Sequence, residues 1–300
     1  MAHRERLRVS GYVAAMAAAA LWGTAGVVAK PLLTSAVGPA QLVAVRLTAA
    51  ALILAASGRT RPVERHWWPY LALFGILGIS ASQFAYYGAI AAANVATAVF
   101  LQYLAPVLVA AWLVAVERQR LGWSVLAAVG LAVLGTLTLV SRPGGGLAIT
   151  PAGLAFGLAS AVAFGFYTLY ARVGLAGLDA WTMLGWAMAA GALVWDIVAR
   201  PWLLLGHLGA TDWLGLGFIA VFGTVLPFGL YLAALRRLDP ARVAVVATLE
   251  PVVAAGLGWW WLGERLGPLQ VAGMVVILAA VVLAQVPVRR RVVATAVSGD

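Results

Sequence analysis

Ten stretches of this chain are long and apolar enough to cross a lipid bilayer as helices, and that single pattern constrains the fold more than any motif. The hydrocarbon core is about 30 Å thick, so at about 1.5 Å rise per residue a helix needs about 20 mostly apolar residues to span it. The predicted spans are Gly11–Val28, Ala40–Ala56, Trp67–Ala92, Ala96–Val116, Leu121–Val140, Pro151–Tyr170, Ala180–Val198, Trp213–Leu235, Val243–Leu262 and Leu266–Val286. The expected fold class is therefore all-α and integral to a membrane.

Composition closes off the alternatives. Hydrophobic residues make up 64% of the chain and charged ones 10%, against about half and a quarter in soluble domains. A water-soluble fold could not hide that much apolar surface. A closed β-barrel would show alternating segments of about ten residues, not long runs of Ala, Leu and Gly. Arg4, Arg6, Arg8 and the run Ala17–Ala20 raise the question of a cleaved signal peptide. The apolar run continues to Val28 and nine more spans follow, so it reads as the first span. There is no cysteine, and His3, His66 and His207 fall in the tail or loops at no metal-ligand spacing. Neither a cofactor nor a metal centre is expected.

The net charge of +10 sorts by loop, whereas a nucleic-acid reader gathers basic residues on one face. With ten spans and a cytoplasmic start, the inner segments hold Arg4, Arg6, Arg8, Arg59, Arg61, Arg65, Arg118, Arg120, Arg172, Arg236, Arg237, Arg242 and Arg289 to Arg291. The outer ones hold Lys30, Arg142, Arg200 and Arg265, and Arg46 lies within a span. The positive-inside rule then predicts both termini in the cytoplasm of an inner-membrane protein. The lipid bilayer and a small-molecule substrate are the expected partners, nucleic acid is not, and nothing requires more than a monomer.

The sequence also resembles itself. A shift of 145 residues pairs Gly78 with Gly223, Tyr86 with Tyr231, Leu104 with Leu249, Pro106 with Pro251, and Arg120-Leu121-Gly122 with Arg265-Leu266-Gly267. Two five-helix halves follow, residues 1–142 and 151–288, joined by a Pro- and Gly-rich linker at 143–150 and followed by a tail at 289–300. Five is odd, so the second half enters from the opposite side and the repeats are predicted to be inverted, an architecture suited to alternating access.

Chemistry-bearing residues concentrate inside the spans. Pro106 and Pro251 occupy matching positions, where proline removes a helical hydrogen bond and frees the carbonyls of Gln102 and Ala247. Pro227 frees that of Gly223 in the same way. Paired helix breaks point to a carrier's binding site, and the competing reading is a kink healed by neighbouring helices. Glu250, near mid-membrane, is a functional candidate because a charge there is costly; a protonated structural carboxyl and a hydrogen-bond acceptor between helices are the alternatives. Arg46, roughly 9 Å inside the outer end of its span, could snorkel, pair structurally or meet an anionic substrate group. A direct Arg46–Glu250 pair would require tilt or an open kink. Lys30 and Asp196 read as interfacial. The candidate cavity residues are Trp22, Thr24, Gln83, Tyr86, Tyr87, Gln102, Tyr103, Tyr167, Tyr231 and Glu250, with helix–helix packing the competing role for the aromatic ones. Trp67, Trp68 and Trp259 to Trp261 read as interface anchors. Gly153 and Gly157 form a small-xxx-small face for helix packing.

At Trp22-Gly23, Arg46, Leu249-Glu250-Pro251 and Gly263-Glu264-Arg265-Leu266 the sequence resembles the EamA family of the drug/metabolite transporter superfamily. Leu104-Ala105-Pro106 and Arg120-Leu121 echo these motifs in the first half, although Gln119 stands where the second half has Glu264. The resemblance implies a ten-helix inverted-repeat exporter of amino acids or other small metabolites, with aromatic amino acid exporters among its members. The predicted function is export of neutral amino acids, aromatic ones included, with other metabolites or drugs, a channel or a scaffold as alternatives. No nucleophile–base dyad, His-Glu-x-x-His run or phosphate-binding loop marks an enzyme.

Overall fold

The computed structural model describes residues 2–35, 37–92, 95–140, 150–204, 206–262 and 267–285. Among them there are helices and no strands. The predicted linker up to residue 149, the tail, Arg142 and the Gly263-Glu264-Arg265-Leu266 motif lie outside the described residues.

The elements are α1 (Ala2–Ser35), α2 (Pro39–Ala56), α3 (Trp67–Ala92), α4 (Val95–Gln102), α5 (Ala105–Ala115), α6 (Trp123–Val140), α7 (Pro151–Leu175), α8 (Ala180–Ala199), α9 (Ala210–Leu235), α10 (Pro240–Ala247), α11 (Leu249–Leu262) and α12 (Pro268–Gln285). Helix starts carry local signals. Thr150 accepts the N–H of Gly153 at 2.9 Å ahead of Pro151, and Asp239 accepts that of Ala241 at 3.0 Å ahead of Pro240. Asp179 accepts those of Trp181 and Thr182 at 3.1 and 3.0 Å at the start of α8. Helix α1 continues through Pro31 to Ser35, beyond the predicted span end at Val28.

Nine helical segments among the described residues have the length and apolarity to cross a membrane. The predicted fifth span is the exception: the apolar part of α6, Trp123–Thr138, is shorter. Large apolar side chains such as Leu52, Ile197, Leu214 and Val282 stand outward, where lipid can cover them.

The two long helices that interrupt their own pattern do so at matching places. Within α3, Phe74–Ser80 widens to a π-helix, and within α9, Val221–Val225 does the same; a shift of 145 residues superimposes the C-terminal ends of the two segments. The fourth and ninth spans break at matching places too, at Tyr103-Leu104 and at Thr248. The breaks fall two or three residues before Pro106 and Pro251, because proline fits the first turn of a new helix but cannot donate back into an old one.

The strongest helix pairings recur when the halves are exchanged. Equivalent helices meet directly, α2 with α8 and α6 with α12. The pairing of α3 with α7 is matched by α9 with α1, and that of α4 and α5 with α7 by α10 and α11 with α1. Two glycines bring the backbones of neighbouring helices closest. At Gly75, in the π-segment of α3, an added methyl group would strike the carbonyl of Ala187 on α8. At Gly23 it would lie 2.7 Å from the carbonyl oxygen of Glu250, so only glycine lets α1 and α11 cross there. Gly157 likewise admits Leu101 against α7.

Candidate functional site

A small polar cavity lies where α1, α2, α3, α4, α7, α9 and α11 converge, lined by Trp22, Ala25, Gly26, Arg46, Gln83, Tyr86, Tyr87, Gln102, Phe164, Gly223 and Glu250. Its volume of about 30 Å³ holds a water molecule or two, whereas sites for small molecules enclose about 300–1,000 Å³. The helices must therefore separate here before a metabolite can enter.

Arg46 is buried, with 3% of its surface exposed. Its Nε donates to Thr224 Oγ1 at 2.9 Å, Nη1 to Gln83 Oε1 at 2.6 Å and to the Tyr87 hydroxyl at 2.7 Å, and Nη2 to the Gly223 carbonyl at 2.6 Å. Every one of these acceptors is neutral. Four of the five guanidinium N–H groups are engaged, and one on Nη2 has no acceptor among the described residues. Two of the acceptors come from the π-segment of α9. Thr224 there passes its own proton to the Ile219 carbonyl at 2.9 Å, which orients its oxygen toward Arg46. The Gly223 carbonyl is the one that Pro227 deprives of its helical donor. Snorkelling, one of the readings of Arg46, does not occur; the side chain turns inward because these acceptors are there.

Glu250 lines the same cavity, and its Oε2 accepts the Tyr103 hydroxyl at 2.6 Å. This bond lies at the short end of the ordinary O–H···O range. Tyr103 sits in the break between α4 and α5, and Glu250 lies two residues beyond the break between α10 and α11. Arg46 and Glu250 thus share a cavity wall without pairing directly, each held by neutral partners.

Not every predicted cavity residue reaches the cavity. Trp22, Gln83, Tyr86, Tyr87, Gln102 and Glu250 line it, with Gln102 Oε1 fixed by the Ser160 hydroxyl at 2.7 Å. Tyr167 and Tyr231 are fully buried instead, in an aromatic cluster with Phe74, Phe164 and Phe228. The Tyr231 hydroxyl is satisfied there by Thr168 at 2.9 Å, so packing, not solvent, is its environment. Thr24 bonds back to the Ala20 carbonyl on its own helix at 2.9 Å, and Tyr103 supports the wall from behind Glu250. Asp196, expected at the interface, accepts the Thr48 hydroxyl at 2.8 and 2.9 Å, joining α8 to α2. Ala25, Gly26, Phe164 and Thr224 join the site without having stood out in the sequence. The first two follow Trp22 by about one turn, and that spacing was the available signal.

The EamA-like transporter family matches residues 9–141 and 151–285, one match to each half. A Salmonella typhimurium protein described as the uncharacterized inner membrane transporter YicL is 30% identical over 293 residues, covering 94% of this chain and 97% of its own. The threonine/homoserine exporter RhtA of the same species is 33% identical over 111 residues, 34% of this chain and 36% of its own. A solved crystal structure with 22% identity superposes with a TM-score of 0.77 over 92% of this chain and 96% of that one, which establishes likeness of fold. With both halves matched and one relative aligned over nearly its full length, the chain belongs to the EamA-like transporter family.

Proposed function

We propose that the protein exports zwitterionic amino acids across the inner membrane by alternating access, with neutral and aromatic ones as substrates. The observation that carries this reading is the shared cavity of Arg46 and Glu250, in which a guanidinium and a carboxyl group each have, among the described residues, only neutral hydrogen-bond partners. An amino acid bound there presents its carboxylate to the remaining Nη2 proton of Arg46 and its ammonium to Glu250. Trp22, Tyr86, Tyr87 and Phe164 offer ring surface to the rest of the molecule. A sugar phosphate or nucleotide would need several inward Arg or Lys residues, and Arg46 alone lines the cavity.

Alternating access rests on the repeat. We read the chain as ten spans in two inverted halves with both termini cytoplasmic, α6 being the fifth of them and the one with the shortest apolar part. The exchange-symmetric packing, the odd number of spans per half and the distribution of arginines support this. In such a pair, each half takes in turn the conformation of the other, opening the cavity first to one side and then to the opposite one. The kinship with a threonine/homoserine exporter supports both the direction and the substrate class.

The test is counterflow in proteoliposomes with phenylalanine, tryptophan, threonine and a sugar phosphate side by side. Saturable, trans-stimulated amino acid flux is expected, which a channel or scaffold would not give. Preference for the sugar phosphate, or no flux of any amino acid, overturns the assignment.

A further inference from the structure

We propose that Tyr103 is a positioning residue whose hydrogen bond to Glu250 latches the two broken spans together, and that an ammonium group bound at Glu250 releases the latch. The proposal rests on reading the cavity as the substrate site and adds how occupancy is coupled to movement.

Three observations carry it. The bond, 2.6 Å long, is partly buried and crosses from the first half to the second, between residues 147 apart in sequence. Its ends lie at or within two residues of the breaks of α4–α5 and α10–α11, where the regular helical hydrogen bonding is interrupted. Among the described residues, Tyr103 is the hydrogen-bond donor to Glu250, and no cation lies within salt-bridge distance of it. A cation arriving there therefore draws on the same negative charge that makes the Tyr103 bond strong. Neutralising that charge leaves a bond of ordinary strength, so the substrate binds best to the conformation in which the breaks have parted. That difference in affinity is what coupling requires.

The chain has no cysteine, so a single Gly26→Cys reports on the cavity in an otherwise unreactive protein. Gly26 lines the cavity and has open space where a side chain would start. In nanodiscs, threonine and ethylammonium are expected to change its labelling rate by a thiol reagent, and propionate to leave it unchanged. The expected change is roughly fivefold, the difference between a charge-assisted and a neutral hydrogen bond. Tyr103→Phe should label at the ligand-loaded rate without ligand and stop responding, while thermal stabilisation by ethylammonium persists. Glu250→Gln should label at the loaded rate with or without ligand, and it decides the matter if Tyr103→Phe does not fold. Parental labelling rates in Glu250→Gln, or a full ligand response in Tyr103→Phe, overturn the latch. If ethylammonium moves the label and threonine neither binds nor moves it, the amino acid reading fails and the latch stands; threonine transport with no effect of either variant gives the reverse.

Discussion

Arg46 donates from Nη2 to the carbonyl oxygen of Gly223 at 2.6 Å, across 177 residues of sequence. The acceptor is available because Pro227, one turn on, has no N–H to give it. A guanidinium from one half is thus bonded to a backbone defect in the other, and the substitutions that disturb this arrangement are the most informative.

Arg46→Ala removes four hydrogen bonds from buried or half-buried acceptors. Leaving such acceptors unpaired should destabilise the protein by about 3 kcal/mol, seen as a lower unfolding temperature in detergent, with transport abolished. Arg46→Lys keeps the charge but has three donors and no planar fork, so it should recover part of the stability and little of the flux. Full transport by Arg46→Lys would show that guanidinium geometry does not matter.

At Gly23 a side chain has nowhere to go, because α11 passes with the Glu250 carbonyl against it. Gly23→Val should force α1 from α11, costing about 1–3 kcal/mol, and should reduce transport more than expression. Unchanged flux in membranes containing normal amounts of the variant would refute the close crossing.

The prolines after the two breaks should matter to movement more than to folding. Pro251→Ala restores a donor and allows α10 and α11 to join into one helix, so the expected result is slower exchange at near-normal protein level. Pro106→Ala should act in the same direction. Initial rates of counterflow, normalised to purified protein, measure this, and normal rates in both variants would count against it.

Asp179 gives a prediction in pH. Burial alone would raise its carboxyl, but hydrogen bonds from Thr182 and Trp181 and the nearby Arg61 outweigh this and hold it below its ordinary value. A lowered native value means that the cap stabilises fully above the unfolded pKa of about 3.9 and loses its contribution as pH falls through the native one. Asp179→Ala should therefore cost about 1 kcal/mol near neutrality and progressively less below about pH 4. A gap in thermal stability that stays constant down to acid pH would contradict the capping role.

The sequence disclosed local features of this site and concealed relational ones. Pro227 announced a free carbonyl at Gly223, and the 145-residue register announced that breaks near Pro106 and Pro251 would correspond. What meets the free carbonyl depends on how α2 crosses α9, and no spacing along either helix encodes that crossing. The same limit explains Tyr103 and Glu250, whose partnership joins separate halves. Tyr167 and Tyr231 misled for a different reason. A tyrosine in a span needs a partner for its hydroxyl, and a cavity and a buried threonine serve equally well on that criterion; Thr168 decided the matter for Tyr231. The π-segments left no trace at all, since Phe74–Ser80 and Val221–Val225 contain nothing that an ordinary helix would refuse.

Those two segments have a mechanical consequence. A π-turn accommodates one more residue than an α-turn, so each is in effect an insertion tolerated within a continuous helix. In α9 the widened stretch supplies both the Gly223 carbonyl and the Thr224 hydroxyl that meet Arg46. The first half is thereby anchored to a stretch of the second whose helical register is already shifted.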